Sequence, residues 1–109
     1  MSKPIRQSRY KYGAAPGRGA KPEYILRLFV SGLLENSVRA IKNINEICEK
    51  HLKDNYELEI IDIYQQPELA ISEQIIVIPV LIIKHPLPER RLIGDLSDIE
   101  KVLQILNRN

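Results

Sequence analysis

The 109-residue chain, 12.6 kDa with 44% hydrophobic and 28% charged residues, suits one domain with a modest core. Its single cysteine, Cys48, excludes an internal disulfide, a Cys-x-x-Cys redox pair and a thiolate metal cage, and His51 and His85 show no zinc-site spacing. No apolar run approaches the roughly 18 residues of a spanning helix, and Met1 to Tyr12 lack the apolar stretch of a signal peptide, so a cytoplasmic protein without a membrane segment is expected.

The formal net charge of +2 hides an uneven distribution. Residues 1–22 carry Lys3, Arg6, Arg9, Lys11, Arg18 and Lys21 with no acid, a charge of +6, which leaves the remainder at −4. The stretch from Tyr12 to Ala20 is rich in Gly, Ala and Pro, has neither helical nor strand period, and cannot bury enough apolar surface to offset its ordering entropy. Residues 1–22 are therefore expected to be a disordered leader ahead of a domain spanning 23–109. Tyr10 and Tyr12 between basic residues would suit stacking on nucleic acid, but a solvated leader explains the composition as well.

Tyr24 to Val30 is β-branched and aromatic, broken only by Arg27, and stops at Ser31-Gly32, which predicts a mostly buried strand. Asn36 or Ser37 can then cap a helix with Val38, Ile41, Ile44, Ile47, Cys48 and Leu52 on its packed face and Arg39, Lys42, Glu46, Glu49 and Lys53 on its charged one. Asp54-Asn55 turns the chain into a second strand, Glu57 to Ile63, whose acids Glu57, Glu59 and Asp62 read as a solvated edge. Strand, helix and strand in this order form a right-handed unit with parallel strands.

Pro67 opens a short helical stretch to Gln74. Ile78-Pro79 is a candidate cis bond ahead of the apolar strand Val80 to Ile83. His85 to Glu89 is a link, and Arg90 to Gly94 a short strand antiparallel to the previous one. Ser97-Asp98-Ile99-Glu100 reads as a capping box for a closing helix with Ile99, Val102, Leu103 and Leu106 buried. The order βαβαββα, a mixed sheet flanked by helices, is that of an α/β thioredoxin-like domain.

Such a fold carries its reactive cysteines in the loop after the first strand, and here Ser31-Gly32-Leu33-Leu34-Glu35 holds no sulfur. Ser31 lacks an activating His and acid, Cys48 falls on the packed helix face, His51 and His85 read as surface residues, and nothing desolvates Glu57 and Glu59 as a catalytic pair. The glycines are scattered and form no phosphate-cradling loop. No catalytic residue, cofactor or metal ligand is expected, and a recognition module remains.

Tyr24 to Gly32, Asn36-Ser-Val-Arg-Ala-Ile-Lys42, Ile61-Asp62, Gln66-Pro-Glu-Leu-Ala70 and above all Arg90-Arg-Leu-Ile-Gly-Asp-Leu-Ser97 closely resemble the KaiB family of circadian-clock proteins, over about Tyr24 to Leu106. The resemblance implies a non-enzymatic regulator that binds the hexameric ring of a KaiC ATPase on its first ATPase domain. It alters the ring's phosphorylation cycle and the recruitment of KaiA or of a histidine kinase. It also implies interconversion between a tetrameric ground-state fold and a monomeric thioredoxin-like fold, which share the half through Ile63.

The resemblance has departures. Ile105 and Asn107 stand where the cyanobacterial pattern has Gly and Asp, Val80 replaces the Thr after the special proline, and the basic leader points to a non-cyanobacterial homolog. Ile105 favours helix over the flexible glycine, so the thioredoxin-like form, as monomer or dimer rather than tetramer, is the expected resting state. Transferred to the resemblance, the partner-facing surface is expected on the short helix and its approach. Gln65, Gln66, Glu68, Glu73 and Gln74 would point outward there, with Arg39, Arg90 and Arg91 contributing charge elsewhere. The alternative is a KaiB-like protein acting outside a clock, in stress adaptation, or with a nucleic-acid-binding leader.

Overall fold

The computed structural model describes residues 22–107, so the expected leader lies almost wholly outside the described residues. Strand β1 (Tyr24–Val30) leads to helix α1 (Glu35–Ile47), which continues as a π-helical turn, Cys48–Leu52. Strand β2 (Tyr56–Asp62), helix α2 (Pro67–Ser72), strands β3 (Val80–His85) and β4 (Arg90–Ile93) and helix α3 (Ile99–Leu106) follow. The sheet order is β2-β1-β3-β4, with β1 and β2 parallel and the other pairs antiparallel, so the expected mixed thioredoxin-like sheet is present.

The strand period divides the sheet into two unlike faces. Leu26, Leu28 and Val30 share one face with Leu58, Ile60, Leu81, Ile83 and Leu92, and α1, the π turn and α3 cover it with Ala40, Ile44, Ile47, Cys48, Val102 and Leu106. The other face carries a smaller cluster, Phe29, Ile61, Val80 and Ile82, against which the partly buried hydrophobic residues Ile63, Leu69, Ile75 and Ile78 pack. Among the described residues, segment 63–78 thus supplies the apolar cover of the second cluster. The peptide bond Ile78-Pro79 is cis, as expected, and so are His85-Pro86 and Leu87-Pro88.

Several local expectations need correction. Helix α1 starts at Glu35 with Leu34 at its N-cap and no side-chain cap. Ser37 is instead buried inside the first turn, where its Oγ accepts from the Ser31 N–H at 3.0 Å. The buried stripe runs through Ser37, Ala40, Ile44 and Ile47, which turns Val38 out to solvent. Small residues lie where the helix approaches the sheet, and a search for large apolar residues misses them.

Strand β2 is an edge, but two of its three acids are not solvated, and Glu57 is half-buried. Glu59 and Asp62 are both buried, Glu59 beside Arg27 at 3.5 Å and Asp62 accepting from the Gly32 and Tyr64 N–H groups. At α3 the N-cap is Asp98, whose carboxylate accepts from the Lys101 N–H at 3.2 Å, so the expected Ser97 to Glu100 capping box does not form. Ser97 sits one residue early, its own N–H bonded to Asp95 Oδ1. Ile99, expected in the buried stripe, is part exposed, and Ile105 packs in its stead.

Candidate functional site

The loop following β1 and the turn preceding β3 meet at one end of the sheet, because Phe29 pairs with Val80. On the first of these, the Ser31 and Gly32 N–H groups are taken by Ser37 Oγ and by Asp62 Oδ2, the latter at 3.3 Å. The loop thus keeps a tight shape without any sulfur, and Leu33 and Leu34 project from it into solvent. Cys48 lies fully buried on the far side of the sheet, where burial pushes its thiol pKa up and keeps it in the unreactive protonated form. Dithiol chemistry is unavailable to this chain.

Next to that end lies α2. Pro67 takes the first helical position, and no residue between Pro67 and Ser72 is buried. Gln65 and Glu68 point outward and are exposed. Gln66 is not: it is 6% exposed and turns inward, because it ends the tight turn in which its N–H and that of Gln65 both bond to the Asp62 carbonyl. Glu73 also turns in. Its side chain is 15% exposed and contacts Arg27 Nη1 at 3.3 Å, Lys84 Nζ at 3.0 Å and Arg91 Nη2 at 3.5 Å. Gln74 is exposed, with φ of 57°.

Beyond Gln74 the chain leaves apolar side chains uncovered. Ile76 is 91% exposed, and Ile71, Val77 and Ile93 are exposed as well. Gln74 to Val77, Val80, Arg91 and Ile93 line a groove of about 150 Å³ between this segment and β4. Of its lining, Gln74 and Arg91 were among the expected surface residues, and the apolar walls were not. Its signal in the sequence is the run Ile75-Ile76-Val77-Ile78, four apolar residues in a connection with no periodic face to bury them all.

The expected arginines separate. Arg91 borders the groove and donates to the Glu73 carbonyl at 2.8 Å. Arg90 points to the opposite side, where it donates to the carbonyls of Pro86, Pro88 and Ile105, so it ties the β3–β4 connection to the end of α3. Arg39, on α1, bonds Asp95 Oδ2 at 3.0 Å. The Arg39 guanidinium, with help from Ser97, holds the Asp95 carboxyl below the usual carboxylate range. Gly94, with φ of 115°, lets the chain leave β4 while its N–H reaches the Pro79 carbonyl at 2.9 Å. Proline loop, β4 and the Asp95 turn are thereby joined.

A profile of the KaiB domain matches residues 27–108. The chain belongs to the KaiB family. Among curated relatives, the circadian clock oscillator protein KaiB of Prochlorococcus marinus (strain MIT 9312) is 48% identical over 84 residues, covering 77% of this chain and 80% of the relative. That of Thermosynechococcus vestitus is 49% identical over 80 residues, covering 73% and 74%. Among solved structures, the N-terminal domain of Synechococcus elongatus SasA superposes with a TM-score of 0.56 at 26% identity, covering 85% of this chain and 88% of that domain. A malaria-parasite thioredoxin-2 reaches a TM-score of 0.69 at 14% identity, covering 88% and 95%, a likeness of fold alone. Kinship and architecture together support a clock regulator built on a thioredoxin-like fold. No described helix is long and apolar enough to cross a membrane.

Proposed function

We propose that the chain is a non-enzymatic cytoplasmic regulator that docks on a KaiC-type ATPase ring and modulates its phosphorylation cycle and signalling output. A histidine kinase or KaiA would be a further partner. The docking surface comprises exposed Gln65, Glu68 and Gln74 and the groove walls Ile76, Val77 and Ile93, with Arg91 at its rim. The observation that carries this reading is the exposed apolar groove beside α2, in a chain of the KaiB family. Apolar side chains that the fold leaves uncovered, rimmed by polar groups, suit the centre of a protein interface, where truncation of an anchor costs about 2 kcal/mol or more. Glu73 serves this surface from beneath, and Gln66, Arg39 and Arg90 shape the domain around it.

Binding to a KaiC hexamer by calorimetry tests the placement. Ile76→Asp is expected to weaken binding at least about tenfold and Glu68→Arg to alter it measurably, with the circular dichroism spectrum unchanged. Wild-type affinity in both variants would remove the interface from this face. A pull-down with the whole chain separates the clock reading from the alternatives. Recovery of an ATPase ring supports the clock reading, and salt-sensitive recovery of nucleic acid would assign the basic leader a role of its own.

A further inference from the structure

The face of the sheet beneath α2 is organised in rows. The pairings Phe29 with Ile61 and Val80, and Val80 with Ile93, make one row across all four strands apolar. One step along each strand, Arg27 pairs with Glu59 and Ile82, and Ile82 with Arg91, so the adjacent row is largely ionic. Segment 63–78 spans both. It covers the apolar row with Leu69, Ile75 and Ile78, all only partly buried, and it meets the ionic row through one residue, Glu73. The Glu73 carboxylate contacts cations from β1, β3 and β4, and its backbone carbonyl accepts from Arg91. Within α2 itself no residue is buried.

Burial of Phe29, Ile61, Val80 and Ile82 beneath this segment holds it to the sheet, and its ionic hold is concentrated in a single side chain. We propose that Glu73 is the latch of a strap, residues 63–78, which opens from the sheet as a unit while all four strands stay paired. Opening uncovers Phe29, Ile61, Val80 and Ile82. The latch joins side chains that are part exposed, so salt weakens it and an anion that competes for Arg27, Lys84 and Arg91 favours opening. The four strands keep their own hydrogen bonds and the larger core on the other face, which the strap does not touch.

Hydrogen exchange with residue resolution on the full chain tests this. The amides of Leu69, Glu73, Gln74 and Ile75 are bonded within the strap, to Gln66, Leu69, Ile71 and Ala70, and a helix of six residues unravels once it leaves the sheet, so their exchange reports opening. In Glu73→Gln they are expected to exchange at least about tenfold faster than in the native chain, with the amides of Leu28, Ile60 and Leu81 unchanged. High salt is expected to bring the native chain close to the variant and to leave the variant itself nearly unaltered. Glu68→Gln, on the same helix but exposed, is the control and should match the native chain. Equal acceleration of strap and strand amides in Glu73→Gln would overturn the proposal, because the loss would then be global. Unchanged strap exchange, or an equal salt effect in native chain and variant, would overturn it as well.

Discussion

Arg39, Arg90 and Arg91 look alike in the sequence and do three different things. Arg90 is a three-carbonyl clamp, and its fork geometry is the reason an ammonium cannot replace it. Arg90→Ala is expected to cost about 2 kcal/mol in urea denaturation, since it strips charged donors from backbone acceptors, among them one at the negative end of α3. Arg90→Lys should recover less than half of that loss, and full recovery would mean that charge alone matters. Arg39 acts on Asp95, whose carboxyl it holds below its ordinary value. A group with a depressed folded value contributes stability that is complete above its unfolded value and is lost as the pH falls through the folded one. Arg39→Ala should therefore raise the Asp95 pKa in an NMR titration. The stability gap between native chain and variant should narrow on acidification through the carboxylate range. A gap that stays constant would show that the arginine acts through packing.

At the scale of elements, α3 shows how a helix start is chosen between neighbouring candidates. Ser97 with Glu100 satisfies the sequence rule for a capping box, yet Ser97 is held by Asp95 in the turn that follows Gly94. That moves the cap to Asp98. Asp98→Ala is expected to lower stability by about 1 kcal/mol, and Ser97→Ala by less than about 0.5 kcal/mol. The reverse ranking in thermal denaturation would restore the capping box. Helix α1 was displaced in the same manner. Its N-cap is Leu34 because the Ser37 hydroxyl is held inside, as acceptor for the Ser31 amide.

For the molecule as a whole, the described domain begins with bonds of its own. The Glu23 N–H donates to Asn55 Oδ1 and the Tyr24 N–H to the Asn55 carbonyl, which fasten the start of β1 to the turn ahead of β2. Deletion of residues 1–22 is accordingly expected to leave the melting temperature within about 4 °C of the full chain, a shift worth no more than about 1 kcal/mol for a domain this size. A larger fall would show that the leader docks on the acidic domain.

The order of the elements, the apolar run Val80 to Ile83 of β3, the special proline at position 79 and the buried Cys48 were legible in the sequence. So was the family, through Asn36 to Lys42 and Arg90 to Ser97. Periodicity and local motifs act over a few residues, and these features are local. What only the tertiary structure decided lies across the sheet. Glu73 reads as one more surface acid on a short helix until Arg27, 46 residues away, is placed under it. Asp62 and Glu59 read as a solvated edge until the Gly32 amide and Arg27 come within reach. Gln66 and Val38 exchange their expected sides because the turn after Asp62 and the close approach of Ala40 set the rotation of their elements. Whether a polar side chain faces water or a partner depends on a group that strand pairing brings from elsewhere in the chain, and no spacing along the sequence records that group.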